Sequence, residues 1–410
     1  MAGGDGLVRF EGIPIFVPLS VPGDLLRLRL VERRPGYGRA EIVEILEPGA
    51  GRRTPPCPYF ERCGGCDLQH LEESLQLRLK AEAVRENLLR LGGVEMPSDV
   101  TVVAGQPWGY RLRAQLHVAE GELGTEVGFF ARRSHDLVPV ASCPILVPEL
   151  ERQLEDLASR VHGTTHRRLD LAAGDGERWA CTPPISGLPR GELSVRVGEL
   201  TFLYTASCFF QAHRQLLPRL VELVLGPAPE DGEEEEAGEA YDLFAGVGFF
   251  SLPLSRRYRR VVAVEGDRVA ARLARKNARR NGVTNLTVKP QAVESWIRTL
   301  PSSAARVVVD PPRVGLSAPM CRRLLERRPR HLTYVSCDSA TLARDLKILR
   351  SGYSLKSLAL LDMFPQTGHL EVVVQLVDRE AGRREAGPTD LAAAAAEPAA
   401  DGPAAGGEAP

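Results

Sequence analysis

Apolar and polar residues alternate with a period of two along Leu26-Arg27-Leu28-Arg29-Leu30, and Ile13–Val17 and Ile42–Leu46 are short apolar runs beside it. That period puts leucine on one face of a strand and arginine on the other, so residues 7–47 are predicted to form a small all-β module with one core face and one basic face. The period then changes. Leu77, Ala81, Val84, Leu88 and Leu91 recur at helical intervals and Gly92-Gly93 closes the run, which predicts a helix packed by one stripe. Alternation returns in Tyr110–Val118 and Val127–Arg133, two predicted strands in which arginine and aromatic residues interleave. Residues 151–200 carry no usable pattern, and Trp179, Cys181 and Arg196 within them receive no role.

The second half of the chain reads differently. Short strand-forming runs (Tyr241–Leu243, Val261–Val264, Val307–Val309, Leu332–Val335, Val372–Val374) are interspersed with helical stretches such as Arg214–Leu225 and Arg268–Asn281. Buried strands alternating with helices predict an open α/β sheet. The acidic stretch from Pro227 to Glu239 is read as a solvated loop, and the Ala-, Gly-, Pro- and Glu-rich stretch after Val377 as a disordered tail.

Composition narrows the class. At 410 residues the chain exceeds one ordinary core, and 43% hydrophobic content suffices to bury two or three. The formal net charge of -1 hides segregation, with acids at Glu233–Glu236 and arginines in Arg268–Asn281 and at Arg322, Arg323, Arg327, Arg328 and Arg330. Both arginine clusters suit phosphate, although most such faces are simply solvated. No run of eighteen apolar residues occurs and Met1–Asp5 does not resemble a signal peptide, so a cytoplasmic protein with no membrane partner is expected. Eight cysteines spread over the chain, three of them between Cys57 and Cys66, argue for metal over a secreted disulfide framework.

Candidate chemistry collects at three places. In Cys57-x5-Cys63-x2-Cys66 three thiols share a glycine-containing loop, with Cys143 or His70 as the fourth ligand; zinc and an iron-sulfur cluster both fit that spacing. Tyr241–Ser251 has the form strand, Gly246-x-Gly248 turn, helix, and Val261–Val264 ends in Glu265, placed as a ribose-binding carboxylate would be. Finally, three strands end or begin in reactive side chains: Asp310 in Asp-Pro-Pro-Arg, Cys337 in Ser-Cys-Asp, and Glu371 in Gly-His-Leu-Glu. A lone free cysteine is most often a small core hydrophobe. Cys337 stands out because a carboxyl flanks it on either side.

Taken in order, these motifs, together with Phe209-Phe210-Gln211 and the arginine-rich β module that resembles a TRAM domain, resemble the RNA uracil-5-methyltransferase family, in particular its TRAM-bearing iron-sulfur branch acting on 23S ribosomal RNA. The resemblance covers roughly residues 7–377. It implies an α/β fold: a Rossmann-like S-adenosylmethionine-dependent methyltransferase domain, an N-terminal TRAM/OB-like β-barrel and a central α+β domain carrying the iron-sulfur loop. The expected boundaries are 1–54, 55–200, 201–378 with the acidic loop 227–239, and a tail 379–410. It further implies S-adenosyl-L-methionine held by Gln211, Phe244, Glu265 and Asp310, a [4Fe-4S] cluster on Cys57, Cys63, Cys66 and Cys143, Cys337 as nucleophile and Glu371 as base. The expected partner is RNA, ribosomal first and transfer RNA second, and the chain is expected to act as a monomer.

The chemistry supports that division of labour. Uracil C5 is too weakly nucleophilic to take a methyl group from a sulfonium until a thiolate adds to C6, and the C5 proton must then leave before the thiol can be eliminated. Relatives often carry polar residues where this chain has Phe249 and Ala292, which predicts weaker cofactor contact. Cytosine-5 methylation is disfavoured because Arg313, not cysteine, follows Asp310-Pro311-Pro312. A non-catalytic iron-sulfur RNA-binding or redox-sensing protein is the rival from another class.

Overall fold

The computed structural model describes residues 4–380 except 123, 228–237 and 303. Most of the acidic stretch and nearly all of the expected tail therefore lie outside the described residues.

The chain opens with four strands, β1 (Asp5–Phe10), β2 (Ile13–Pro18), β3 (Leu25–Arg34) and β4 (Tyr37–Glu47), in one sheet ordered β1-β2-β4-β3. The sheet is open, with β1 and β3 at its edges, so the expected barrel is not closed by backbone pairing. Nor is the leucine face of β3 a core. Leu26 and Leu28 are only partly buried and Leu30 is half exposed, as are Val43, Ile45 and Leu46 on β4. The arginine face is not freely basic either, because Arg27 and Arg29 pair across the strands with Glu44 and Glu41, their partners in register.

After the cysteine loop comes the helix Glu73–Asn87, continued by a wider π turn, Leu88–Gly92, and stopped by Gly93 in a left-handed conformation. Its buried face is Leu75, Gln76, Lys80, Val84 and Leu88, while Leu91 of the predicted stripe is exposed. Two polar side chains thus sit in what the pattern marked as a polar face. Both are buried because they bond to the segment just before Glu371.

A strand β5 (Thr101–Val103) precedes an antiparallel sheet of β6 (Arg113–Gly121), β7 (Gly124–Phe130), β8 (Leu137–Pro139), β9 (Arg168–Ala173) and β10 (Trp179–Thr182), in the order β10-β9-β6-β7-β8. The hairpin β11 (Glu192–Val197) and β12 (Leu200–Thr205) leads to the last sheet. That sheet contains β13 (Glu239–Leu243), β14 (Arg260–Glu265), β15 (Leu286–Pro290), β16 (Arg306–Val309), β17 (His331–Ser336), β18 (Tyr353–Leu361) and β19 (Glu371–Asp378), ordered β15-β14-β13-β16-β17-β19-β18-β5. Strands β13 to β17 are parallel, and β13, β14, β16 and β17 are largely buried on both faces, as their apolar runs require, while β15 is a partly exposed edge. β19 runs antiparallel between β17 and β18, so its first residue lies at the same edge as the last residue of β17.

Because β5 extends this sheet and Val84 and Leu88 join its core, the stretch expected as a separate 55–200 unit is divided between the central and catalytic sheets. No helix among the described residues is long and apolar enough to cross a membrane.

Candidate active site

Phe244, Glu265, Asp310, Cys337 and Glu371 sit where strands of the last sheet meet loops, at the carboxyl edge of its parallel strands, where open α/β sheets bind ligands, and Gln211 reaches them from the loop after β12. The ladder between β17 and β19 pairs Ser336 with Val372. The chain leaves β17 at Cys337 just past that last pair, beside Glu371, the first residue of β19, and the two side chains are close enough for the Glu371 charge to act on the thiol. Asp310 follows Val309 on the neighbouring strand β16. A thiol and two carboxyls thus occupy three adjacent strand ends.

Their electrostatics follow from that crowding. Burial pushes the Glu371 carboxyl well above the usual range, the Asp310 charge pushes the same way, and Arg313 opposes both. Asp310 is raised to about 7 by burial and then by Asp242, against a hydrogen bond of 3.1 Å donated by Gln211 Nε2. Burial, and then the Glu371 charge, raise the half-buried Cys337 thiol to about 11; Arg313 is the largest influence in the other direction. Arg313 itself is exposed and donates through Nη2 to His369 Nε2 at 3.0 Å. Asp338 caps the helix Ser339–Leu349 by accepting from Ala340 N–H and Thr341 N–H, which pins the turn that carries Cys337. On its outer side Cys337 opens onto a cleft of about 270 Å3 bordered by Lys80 and Asn87, by Asp5 and Ser20 of the N-terminal sheet, and by His369.

The cofactor turn lies two strands away. Phe244 takes a left-handed backbone conformation, φ 66°, which is costly for a bulky residue and is a mark of functional turns. Gly248 is also left-handed, and a Cβ there would meet Leu252 at 2.9 Å, so the glycine is required by close packing as well as by φ. Glu265 accepts from Gly246 N–H and from Asp267 N–H, both at 2.7 Å, and so braces the turn. Asp242 is fully buried and accepts from the Ser251 hydroxyl, yet its Oδ1 has no partner among the described residues. Burial raises its carboxyl to about 7. An orphaned, buried carboxyl oxygen beside a glycine turn fits a ligand that brings a positive charge or a donor.

Phe249 does not face this turn. It is buried against Phe202, Phe210 and Phe250, with ring centroids 5.1–5.6 Å away, so its departure from the family pattern falls in the core. Ala292 lies exposed before the short helix Val293–Trp296.

The chain matches the tRNA (Uracil-5-)-methyltransferase family over residues 190–379. It is 33% identical to a 23S rRNA (uracil(1939)-C(5))-methyltransferase, RlmD, of Pectobacterium atrosepticum, covering 93% of each chain. It is 34% identical to the RlmD of Halomonas elongata over 94% of this chain and 89% of that one. The chain belongs to the RNA uracil-5-methyltransferase family. It is an S-adenosylmethionine-dependent enzyme that methylates uracil C5 in RNA, which sets aside the non-catalytic reading. In fold this uracil-5-methyltransferase is similar to the Pyrococcus abyssi tRNA (uracil-54, C5)-methyltransferase, solved with S-adenosyl-L-homocysteine (TM-score 0.67, 24% identity, 91% of this chain and all of that one).

The four cysteines expected to hold a metal centre come together as the lining of one cavity of about 120 Å3. Cys57, Cys63, Cys66 and Cys143 are all free, and burial pushes Cys66 and Cys143 up to about 12. Among the described residues, however, no group of three or more His, Cys, Asp or Glu side chains stands at the spacing that holds a metal ion, so the expected cluster site is not shown as a formed ligand set. His70, the rival fourth ligand, does not line the cavity. It is buried beside Phe60 with Nε2 3.4 Å from Ser20 O, and burial lowers it to about 4.

Several residues that matter here escaped the sequence reading. Arg313 and His369 stood inside quoted motifs without roles. Lys80, Asp67 and Gln366, which hold the loop before Glu371, carry no local signal at all, because their partners are hundreds of positions away in the chain. Of the second arginine cluster, Arg323 pairs with Glu326 and Arg328 with Asp378 and Glu380, so that cluster is partly committed within the protein.

Proposed function

We propose that this enzyme forms 5-methyluridine in large-subunit ribosomal RNA, with Cys337 as nucleophile and Glu371 as base. The observation that carries this reading is that Cys337 at the end of β17 and Glu371 at the start of the neighbouring β19 lie close together, next to Asp310. The Cys337 thiolate adds to uracil C6, and the electron density delivered to C5 attacks the methyl group of the sulfonium. A proton then remains on C5. Glu371 takes it, the C6–S bond breaks, and the double bond returns as the thiolate leaves. A carboxylate with a raised pKa is a stronger base for that step than an exposed one, and burial keeps water away from it. Arg313 lowers the cost of the thiolate. The turn of Phe244, Gly246 and Gly248, together with Glu265, Gln211 and Asp310, would hold S-adenosylmethionine, which would supply the methyl group. The target base must leave its stack to bring C6 to a thiol, so a looped RNA is the expected substrate.

The ribosomal assignment rests on relatives at 33% and 34% identity, whose names give 23S rRNA, over nine-tenths or so of their length. The N-terminal sheet is proposed as an RNA-binding module because Asp5, Gly6 and Ser20 border the cleft that opens onto Cys337. For the four cysteines a [4Fe-4S] cluster is the favoured occupant. Four thiols lining one cavity are the donor set that such a cluster takes. Such a group, when bound, supplies a redox-active and rigid core to the loop.

The test is incubation of the purified enzyme with methyl-labelled S-adenosylmethionine and unmodified large-subunit rRNA or tRNA transcripts, followed by nucleoside identification. Label in 5-methyluridine from rRNA is expected. Label from tRNA alone would overturn the substrate and keep the mechanism; label in 5-methylcytidine would overturn both.

A further inference from the structure

The segment between Asp362 and Glu371 is held mainly by parts of the chain that precede the catalytic sheet. Gln366 sits in a left-handed conformation, φ 69°, and its carbonyl accepts from the backbone N–H groups of Asp67 and Leu68 at 2.8 and 2.9 Å. Its amide group exchanges two hydrogen bonds with Gln76: backbone N–H to Gln76 Oε1 at 3.1 Å, and Gln76 Nε2 to Gln366 Oε1 at 2.9 Å. Arg53 also donates to Gln366 Oε1, at 3.1 Å. Two residues on, Gly368 N–H donates to Asp67 Oδ2 at 3.0 Å, and the other oxygen of Asp67 accepts from Arg132 Nη1 at 3.1 Å. Tyr110 OH donates to the Pro365 carbonyl at 2.9 Å, and Lys80 Nζ to the Phe364 carbonyl at 3.1 Å. Gly368 is followed directly by His369, Leu370 and Glu371.

We infer that Asp67, beside Cys66 in the cysteine-bearing loop, is a positioning residue for Glu371 and thereby sets the rate at which methylated RNA leaves Cys337. The inference rests on Glu371 being the base. Asp67 touches no reacting atom; it fixes the turn from which β19 starts, and Arg132 fixes Asp67. Misplacing the carboxylate by a fraction of an ångström penalises only the step that uses it, the removal of the C5 proton with breakage of the C6–S bond and release of the thiolate. Thiolate addition and methyl transfer do not need that proton to move. A defect in this contact therefore splits the reaction: methyl enters RNA at close to the parent rate, and product release slows by a factor on the order of 10 to 100. A merely structural role would instead lower both steps together through loss of folded enzyme.

The experiment compares parent, Glu371→Gln, Asp67→Ala and Gln76→Leu in single-turnover reactions with labelled S-adenosylmethionine and an rRNA transcript. It reads methyl incorporation and denaturation-resistant protein–RNA adduct from the same samples, with thermal melting run alongside. Gln76→Leu loosens the same turn from the helix side, so either variant that folds decides the matter. Adduct enriched at least tenfold over parent, with methyl incorporation within threefold, is the expected result. If Glu371→Gln accumulates adduct while folded Asp67→Ala and Gln76→Leu do not, Asp67 has no positioning role. If Glu371→Gln itself accumulates none, the base assignment fails instead.

Discussion

At the scale of single residues, the account turns on charges kept out of water. Asp242 and Asp310 both titrate near 7 in the fold because burial disfavours their ionised forms. Unfolded, each would titrate near 4. Their protonation therefore contributes stability that is fully present below about pH 4 and is lost as pH rises through about 7. A sulfonium or ammonium group bound beside them prefers the ionised carboxylates. We accordingly expect S-adenosylmethionine to bind more tightly at pH 8 than at pH 6, by up to about tenfold, in calorimetric titrations. Equal affinity at the two pH values would remove these carboxyls from the cofactor site. Arg313 makes a separate forecast. Since it is the main influence holding the Cys337 thiol down, Arg313→Gln should shift the pH dependence of Cys337 alkylation, followed by peptide mass spectrometry, to higher pH. Cys337, Asp310 and Glu371 were legible in the sequence because each ends or begins a short apolar run in a distinctive local motif. Asp67 was not, since its meaning lies in Gly368, which no local pattern connects to it.

At the scale of elements, the decisive arrangement is β19 inserted antiparallel between β17 and β18. That insertion is what brings the start of one strand to the end of another and pairs a thiol with a carboxyl. Valine-rich runs revealed the strands but not their order, because period and propensity say nothing about which neighbour a buried strand chooses. The helix Glu73–Asn87 was legible as a helix and misread in its face. Its stripe of leucine and alanine is not the whole buried surface: Lys80 is buried in an ion pair with Asp362 at 2.8 Å, their side chains 3% and 9% exposed. Burial lowers Lys80 and raises Asp362, so each partner tolerates the interior through the other. Lys80→Met strands the Asp362 carboxyl and should cost about 3–5 kcal/mol in denaturant unfolding. Adding Asp362→Leu to it should recover part of the loss; an additive double variant would show that the two do not depend on each other.

At the scale of the whole molecule, the N-terminal sheet, the helix Glu73–Asn87 and the catalytic sheet meet around one cleft. Alternating leucine and arginine in β3 predicted a module with a core face and a basic face. Instead Leu26 and Leu28 are only partly buried, Leu30 is half exposed, and Arg27 and Arg29 are answered by Glu44 and Glu41, because β4 supplies acids in register, which β3 alone does not reveal. The cysteine loop was legible as a cluster of thiols, and Cys57, Cys63 and Cys66 line one cavity with the distant Cys143. Anaerobically purified enzyme is expected to carry iron and acid-labile sulfide with broad visible absorbance, and Cys63→Ser to lose both. Stoichiometric zinc in colourless protein would replace the cluster with a mononuclear site.

The central claim, that Cys337 and Glu371 act on opposite ends of one covalent cycle, is tested most directly by trapping the intermediate. Glu371→Gln enzyme incubated with S-adenosylmethionine and an rRNA transcript should give a protein–RNA adduct that survives denaturation. After digestion, mass spectrometry should find a methylated nucleotide on the peptide that contains Cys337. An adduct on another cysteine, or free 5-methyluridine released at the parent rate, would contradict the account.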